Sequence, residues 1–258
     1  MTPPSAPRID KWLVRYGTCP EPEFRMVCFP HAGGSAAYYP WLRAAVPEQG
    51  ELLCVQYPGR QERHREAPVE EFTAMIGAVT DVLRAGPPLP LVLFGHSLGS
   101  LIAYETALAL RDTAGPLRGL IVSGRRAPSV RPPRGGRAPS TAEIIEEMRL
   151  LGGTAPALLR DPDLLELVLP ALRADSRLAE SYVPRPGTAV PCPLTVLTGT
   201  TDPRVSSADA AAWRAHTTGA CTVHEVTGGH FFFEQQRPHV LALIRGALDD
   251  MVQQAARA

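Results

Sequence analysis

The sequence predicts an α/β domain built on a mostly parallel β-sheet with helices on both faces. Short apolar runs rich in strand-forming residues alternate along the chain with longer segments whose apolar residues recur at helical spacing. Strands and helices in this alternation form right-handed βαβ units, and those units build parallel sheets. The chain also has 258 residues, of which 45% are hydrophobic, so it can bury the core that such a sheet requires.

Each predicted strand is a short apolar run that ends near a turn signal such as proline or glycine. In chain order the predicted strands are Arg25–Pro30, Leu52–Tyr57, Leu91–Gly95, Gly119–Ser123, Leu194–Thr198 and Thr222–Val226. The predicted helices are SAAYYPWLRAAV from Ser35, a helix opened by Pro68 and ended by Gly86, Leu98 to about Arg111, Ser206 to about His216, and a last helix to about Gln254. Ser206 is the predicted cap of its helix, with Asp209 at the capping-box position.

The alternation is interrupted by residues 125–189. Arg125–Pro139 is rich in proline, glycine and arginine, which predicts a mobile loop. Ser140 and Glu143 then form a capping box that opens a helix, and a second helix is predicted over Pro162–Tyr182, where Pro170 is expected to kink or divide it. An excursion of about 60 residues is longer than an ordinary connection and is typical of a functional lid. The predicted organisation is therefore a core of residues 1–124 and 190–258 with a lid insertion at 125–189.

The composition disfavours several classes of function. Lys plus Arg and Asp plus Glu both number 26, so no global field attracts nucleic acid or a membrane surface. The five cysteines are odd in number and lack the CxxC spacing of zinc or redox sites, which indicates free thiols in a reducing compartment. No signal peptide is evident, and no apolar run approaches the roughly 20 residues of a membrane span. We therefore expect a cytoplasmic protein without nucleic-acid or membrane partners.

A serine between two glycines is the strongest chemical signal. In LVLFGHSLGS, Gly95, Ser97 and Gly99 match the pattern GxSxG where a predicted strand meets a predicted helix. That context is the one a nucleophile elbow needs, because only glycine tolerates the close approach of strand and helix around the strained serine. The following helix directs its N-terminal N–H groups towards the site. The alternative is that Ser97 is an ordinary turn or capping residue.

A serine nucleophile needs a histidine base and a carboxylate that orients it, and in this kind of fold they follow in the order Ser, acid, His. His230 follows the last predicted strand, and Asp202 ends the strand before it in LTGTTDP, so these two are the candidates. Asp202 by itself is also typical of a plain Asp-Pro turn. The positions of the other histidines disfavour them as the base: His31, His64, His96, His216, His224 and His239. Three other aspartates are disfavoured as the acid, because they are expected to solvate helices of the insertion: Asp161, Asp163 and Asp175.

The predicted oxyanion hole combines the backbone N–H of Leu98 with one from the loop FPHAGGSAAYY, where Ala32 is the candidate. Gly33 and Gly34 allow the backbone to approach a substrate closely. The alternative is a glycine-rich turn without catalytic function.

The motifs FPHAGGSAAYY, YPGRQER, FGHSLGS, LTGTTDP and GGHFFF occur in this order, and with them the chain resembles the type II thioesterases of polyketide and nonribosomal peptide synthesis. The resemblance extends from about Cys28 to Leu248. It implies an α/β-hydrolase fold and a stand-alone enzyme that removes aberrant or stalled acyl groups from the phosphopantetheine arm of acyl carrier or peptidyl carrier domains. It also implies the triad Ser97, Asp202 and His230, oxyanion donors at Ala32 and Leu98, and no metal or organic cofactor beyond the phosphopantetheine that the substrate carries.

Several alternatives stay open at this point. A general carboxylesterase of the same fold would act on small free esters, and a non-catalytic binding protein on a hydrolase scaffold would have lost a member of the triad. A further alternative is an integrated, chain-releasing thioesterase, a type of enzyme that is usually fused to a synthase. The arginines of the insertion loop are candidates for docking an acidic carrier domain, or they belong to a solvated loop: Arg125, Arg126, Arg131, Arg134 and Arg137. Arg60 and Arg63 are expected to tie their loop to the sheet by salt bridges.

Overall fold

A computed structural model describes residues 8–111, 117–130, 139–153 and 158–253, and these form one eight-stranded sheet with helices on both faces. The strand order is β1-β2-β4-β3-β5-β6-β7-β8. The strands are β1 Arg8–Asp10, β2 Leu13–Tyr16, β3 Phe24–Phe29, β4 Gly50–Val55, β5 Leu91–His96, β6 Leu117–Ser123, β7 Leu194–Gly199 and β8 Cys221–Val226. All neighbours from β4 to β8 are parallel, as predicted.

Two strands were not predicted. β1 and β2 pair antiparallel to one another, and β2 pairs antiparallel to β4 at one edge of the sheet. They lie in or just after the proline-rich start of the chain, where three or four residues are too few to display an alternating pattern. β2 is stabilised by pairing with β4, and β1 by pairing with β2, and no local sequence pattern indicates either pairing.

The described helices are α1 Phe72–Ala85, α2 Leu98–Leu110, α3 Thr141–Leu151, α4 Pro162–Ser181, α5 Ser207–Ala211 and α6 Arg237–Gln253. The prediction of helices is confirmed at α1, α2, α3, α4 and α6. Both predicted capping boxes form, at Ser140 with Glu143 and at Ser206 with Asp209. Pro170 lies inside α4 and does not divide it.

Two predicted helices are shorter or tighter than expected. The segment from Ser35 contains two 3₁₀ helices, Ala36–Tyr38 and Pro40–Ala44, instead of one α-helix. Pro40 has no backbone N–H and cannot continue a helix from the preceding residues, so the chain restarts at that point. The helix after Ser206 likewise changes from α to 3₁₀ at Ala212–His216.

The side chains of the central strands alternate between two apolar layers. Val27 and Phe29 of β3 face one layer, and Met26 and Cys28 face the other. The first layer includes residues of α1 and α2, among them Met75, Val79 and Ile102, and the second includes Val240, Ile244 and Leu248 of α6. Helices therefore cover both faces, and the carboxyl ends of the parallel strands lie together at one edge of the sheet.

The insertion begins with a segment that is held to the core. The carbonyl of Arg125 accepts a hydrogen bond from Trp213 Nε1 at 2.7 Å, the N–H of Ala127 donates to Asp209 O, and Ala127 is 1% exposed. The expectation of a mobile loop is wrong for residues 125–130, because Ala127 has a buried site between the core helices. The rest of that expectation, at residues 131–138, lies outside the described residues. The division into core and lid stays a prediction.

All five cysteines are free thiols, and Cys28 and Cys54 are buried in the sheet. None of the helices in the described part of the chain is long and apolar enough to cross a membrane.

Candidate active site

Ser97 lies at the junction of β5 and α2 in a backbone conformation that non-glycine residues rarely adopt. Its φ is 54° and its ψ is −117°. The turn is held by a hydrogen bond from Ser97 N–H to the carbonyl of Ser123 at 2.8 Å. Ser97 is partly exposed, whereas His96 and Leu98 on either side are buried. The strained turn therefore presents one hydroxyl at the carboxyl edge of the sheet.

The glycines around Ser97 are explained by contact distances. A Cβ added to Gly95 would lie 2.2 Å from the carbonyl oxygen of Gly99, and one added to Gly99 would lie 1.9 Å from that of Phe29. Both distances are far inside van der Waals contact with backbone, which cannot move aside as a flexible side chain can. Only glycine permits β3, β5 and the start of α2 to approach this closely.

Asp202 and His230 are brought together at the ends of β7 and β8. Asp202 Oδ2 lies 2.7 Å from His230 Nδ1, and Asp202 Oδ1 accepts a hydrogen bond from the N–H of Arg204 at 2.8 Å. The side chains of Asp202 and His230 are 0% and 3% exposed. A carboxylate can only accept here, so the proton is assigned to Nδ1, which leaves a lone pair on Nε2.

Nε2 of His230 is buried and has no hydrogen-bond partner among the described residues. Buried acceptors are normally satisfied, so an unsatisfied one is a candidate functional group. Ser97 and His230 line the same small cavity of about 70 Å³. The three predicted residues thus meet at one edge of the sheet, in an arrangement that could transfer a proton from Ser97 Oγ once a substrate tightens the site.

The two predicted oxyanion donors lie on facing elements. Leu98 is the first residue of α2, and Ala32 belongs to a turn in which Gly34 N–H donates to the carbonyl of His31 at 2.9 Å. Ala32, Ser97 and Leu98 all line one larger chamber. The backbone N–H groups at this position could stabilise negative charge on the oxygen of a bound carbonyl.

That chamber has a volume of about 330 Å³, and residues of the insertion form part of its wall. Its walls combine the His31–Ser35 turn and Phe231 of the core with apolar residues of α3 and α4. The apolar residues from α3 and α4 are Ile144, Met148, Leu151, Val168, Leu172 and Ala179. An apolar group attached to an acyl carbon at Ser97 would lie against these side chains.

His31 has a place in the site that its sequence position did not predict. Its ring contacts the rings of Phe231 and His96, and Nδ1 lies 2.7 Å from the Tyr39 hydroxyl. Burial lowers the pKa of His31 to about 3, and electrostatic interactions with His230 and Arg60 act in the same direction. His31 is therefore a neutral wall of the chamber. In the sequence, only the position of His31 in the FPHAGG loop could have indicated that it lines the chamber.

Asp175, a disfavoured alternative to Asp202, differs from its expected place on a solvated helix. It is expected to solvate a helix, yet it is 0% exposed, and both of its carboxylate oxygens bind the guanidinium of Arg60 at 2.6 and 2.9 Å. Burial opposes the charge on Arg60, but the carboxylate of Asp175 outweighs it and raises the pKa of Arg60. Arg60 thus forms the expected structural salt bridge, but to α4 instead of the sheet. Arg63 does tie its loop to the end of β4, through a hydrogen bond to Gln56 O at 2.7 Å.

The arginine cluster of the insertion is only partly described, and its two described members, Arg125 and Arg126, are half-buried. Arg125 lines the chamber, and its Nε is buried without a partner among the described residues. Burial and the neighbouring charge of Arg126 lower the pKa of Arg125 to about 10. Arg126 donates to the carbonyl of Arg204. Docking of an acidic carrier domain by these two stays a prediction, and Arg131, Arg134 and Arg137 lie outside the described residues.

Within the described ranges, no three or more His, Cys, Asp or Glu side chains form a group that could hold a metal ion.

The chain is similar to thioesterases over most of its length. A family model described as "Thioesterase domain" matches residues 24–248. Thioesterase PikA5 of Streptomyces venezuelae is 40% identical over 255 residues, which cover 94% of this chain and 90% of that protein. A probable cadicidin biosynthesis thioesterase of Streptomyces griseus is 40% identical over 238 residues, and the match covers 92% of this chain and 66% of that relative.

A solved structure shares the fold closely. The type II thioesterase BorB from the borrelidin biosynthetic cluster superposes with a TM-score of 0.82 at 39% identity, and the match covers 91% of this chain and 96% of that one.

Proposed function

The chain belongs to the thioesterase family, and on that premise we propose that it hydrolyses acyl thioesters carried on the phosphopantetheine arm of acyl carrier or peptidyl carrier domains. Its similarity to type II thioesterases of polyketide and nonribosomal peptide pathways supports an editing function, in which stalled or aberrant acyl groups are released as carboxylic acids. The proposed site residues are Ser97, Asp202 and His230, with N–H groups of Ala32 and Leu98 as oxyanion donors.

The proposed reaction begins with proton transfer from Ser97 Oγ to Nε2 of His230. The hydroxyl oxygen attacks the thioester carbonyl, and negative charge develops on the carbonyl oxygen, where the N–H groups of Ala32 and Leu98 stabilise it. Asp202 holds the imidazole in the required tautomer and stabilises the imidazolium. The C–S bond then breaks, and the pantetheine sulfur leaves easily because a thiol is a far stronger acid than an alcohol.

Hydrolysis of the acyl-enzyme completes the cycle. The imidazolium returns its proton to the departing thiolate, and neutral His230 then deprotonates a water molecule that attacks the Ser97 ester. The second tetrahedral intermediate collapses as its C–O bond to Ser97 breaks and the imidazolium protonates Ser97 Oγ, which releases the carboxylic acid and restores free Ser97 and neutral His230. No step in this proposal requires a metal or an organic cofactor, since the phosphopantetheine is part of the substrate.

One observation carries the proposal. The imidazole of His230 is held by Asp202 at 2.7 Å, and its buried Nε2 lacks a hydrogen-bond partner among the described residues beside a serine in a strained turn. The unpartnered Nε2 and the strained turn each lower the stability of the folded protein, and such features persist mainly at functional sites.

The direct test replaces the nucleophile. We expect Ser97→Ala to abolish hydrolysis of an acyl-carrier thioester, measured as release of the carrier thiol, while its thermal unfolding temperature stays close to that of the wild type. The matched control is Ser207→Ala at an exposed position of α5, which should retain full activity. Turnover by Ser97→Ala within threefold of the wild type would overturn the proposal, on the scale of the roughly 10⁶-fold losses seen when a triad serine is removed.

The same assay separates a thioesterase from a general esterase. One acyl group is presented on a carrier domain, on a small thiol and as a free ester, and kcat/KM is compared. We expect the carrier-bound thioester to be preferred. Equal or faster hydrolysis of the free ester would indicate a carboxylesterase on the same fold.

A further inference from the structure

Helix α4 contains a buried carboxylate that the reaction above does not use. Asp175 is 0% exposed, and a fully buried Asp is rare unless its charge is paired. The guanidinium of Arg60 pairs with both of its oxygens, and the N–H of Gly33 donates to Oδ2 at 2.7 Å. The carboxylate therefore connects a helix of the insertion with two loops of the core.

Asp175 and Arg60 both form hydrogen bonds with the turn that carries the proposed oxyanion donor, Ala32. The hydrogen bond from Gly34 N–H to His31 O closes a β-turn whose third residue, Gly33, has a φ of +74°. Ala32 has no positive φ, so the turn is of type II. Asp175 binds the central N–H of this turn, and Arg60 donates to the carbonyl of Gly34 at 3.2 Å.

The geometry of the turn fixes the direction of the Ala32 N–H. The C=O of His31 and the N–H of Ala32 belong to one planar trans peptide and point in opposite directions. The bond that His31 O accepts from Gly34 therefore orients the Ala32 N–H, provided that the turn keeps its type II form. The contacts from Asp175 and Arg60 stabilise that form.

The same helix forms a wall of the chamber. Leu172, Ser176 and Ala179 of α4 line it, and a Cβ added to Gly33 would lie 2.4 Å from Leu172 Cδ2. Asp175 lies between these residues in sequence, so the carboxylate reaches the turn from the helix that contacts the substrate chamber. A displacement of α4 would separate Asp175 from Gly33 and Arg60 together.

We propose that Asp175 is a positioning residue that couples the seating of α4 to the alignment of the oxyanion turn through Arg60 and Gly33. The oxyanion hole is then complete only when the insertion is closed over the chamber. This inference rests on the proposed function, because it takes Ala32 as an oxyanion donor. It assigns no contact with substrate to Asp175.

Two variants test the coupling. Asp175→Asn preserves shape but removes the charge that holds Arg60. The double variant Arg60→Leu with Asp175→Leu leaves no buried charge unpaired, and such replacements of buried ion pairs are commonly tolerated by the fold. It does remove the partners of Gly33 N–H and Gly34 O. It therefore keeps the test informative if Asp175→Asn fails to fold.

We expect kcat of each folded variant to fall about 10- to 100-fold, which is less than the 10²- to 10³-fold loss of a deleted oxyanion donor, with KM changed less than about threefold. A second readout is the rate at which a fluorophosphonate labels Ser97, because that reaction also passes through an oxyanion. It should fall in parallel with kcat. A purely structural role would lower the unfolding temperature without this selective effect on kcat.

The matched control is Arg177→Gln, which removes an exposed ion pair between α4 and Glu70 and should leave kcat unchanged. The inference is wrong if the folded variants keep wild-type kcat and labelling rate, or if kcat and KM change by equal factors. The proposed function fails separately, if Ser97→Ala remains active. An inactive Ser97→Ala beside a fully active Asp175→Asn would therefore overturn only the inference.

Discussion

Ser97 and His230 lie beside the same small cavity, and each has a feature that lowers the stability of the folded protein. The backbone of Ser97, with φ at 54°, costs about 1–3 kcal/mol relative to a relaxed conformation. The buried Nε2 of His230 lacks a partner among the described residues, and a missing hydrogen bond at such a group costs about 1–3 kcal/mol. A substrate that brings Ser97 Oγ towards Nε2 would recover part of this cost. The site is therefore preorganised for chemistry at the expense of stability.

The buried histidines make stability depend on pH. The pKa of His31 in the folded protein is about 3, lowered mainly by burial from its ordinary value of 6.5. The unfolded chain therefore binds more protons than the folded chain between about pH 6.5 and 3. By linkage, the contribution of His31 to the free energy of unfolding is greatest above pH 6.5 and falls as the pH drops through that window.

We expect His31→Gln to reduce this pH dependence. The slope of unfolding free energy against pH between 4 and 6 should decrease by up to about 1.4 kcal/mol per pH unit, since one linked proton is lost. Urea unfolding at several pH values measures the slope. Tyr39→Phe is the control, because it removes the hydrogen-bond partner of His31 but keeps the titrating ring. An unchanged slope in His31→Gln would show that His31 does not carry this dependence.

At the residue scale, the candidate nucleophile, acid and base could be predicted because each follows a strand whose carboxyl end reaches the same sheet edge. Asp175 could not be predicted in the same way. Its partners Arg60 and Gly33 are 115 and 142 residues away, and only the packing of α4 against the core brings them together. A local pattern around Asp175 predicts an exposed helical carboxylate, which tertiary pairing overrides.

The elements differ in how far local chemistry determines them. α3 and α5 begin at their predicted capping boxes because a cap acts within three residues. β2 pairs with β4 and β1 pairs with β2, so both strands depend on long-range pairing and their own sequences carry little signal. The 3₁₀ helices at Ala36–Tyr38 and Pro40–Ala44 reflect competition between helical spacing and Pro40.

The junction of β5 and α2 yields a prediction about glycines. Gly99→Ala should lower the free energy of unfolding by more than about 3 kcal/mol, because its Cβ would lie 1.9 Å from the carbonyl oxygen of Phe29 and force two backbones apart. Gly77→Ala in α1 should instead raise it by about 0.5–1 kcal/mol, since nothing lies within 4 Å of that Cβ and alanine favours a helix.

Urea unfolding of both glycine variants, beside the wild type, measures the contrast. Both variants replace glycine with alanine, so each serves as the control for the other. The expected changes in the free energy of unfolding have opposite signs. If Gly99→Ala were as stable as the wild type, Gly99 of α2 would not lie against the carbonyl of Phe29 in β3. The explanation of the GxSxG spacing would then fail.

At the scale of the whole molecule, the chamber belongs to neither the sheet nor the insertion alone. The core provides Ser97, Leu98 and the His31–Ser35 turn, and α3 and α4 provide most of the apolar wall. The insertion was predicted from its length and helical patterns. Its packing over Ser97 depends on long-range contacts such as Arg60 with Asp175, so the walls of the chamber could not be predicted.

Because the insertion provides most of the apolar wall, we expect it to determine which lengths of acyl chain are hydrolysed. Met148 lies on the chamber wall in α3, and Met148→Trp would fill space where a long acyl chain extends from Ser97. We expect kcat/KM for a decanoyl-carrier thioester to fall at least about tenfold, and that for an acetyl-carrier thioester to change less than about threefold, since pocket contacts discriminate by about 1–3 kcal/mol per methylene.

Leu150→Trp is the matched control, because Leu150 lies on the same helix but is 57% exposed and does not line the chamber. It should leave both substrates unaffected and so exclude a general effect of tryptophan on α3. Equal losses for acetyl and decanoyl substrates in Met148→Trp would place the acyl chain elsewhere. A selective loss for the long chain would mean that the core supplies the chemistry and the insertion sets which acyl groups reach it, so that homologous cores with different insertions should differ in substrate and not in mechanism.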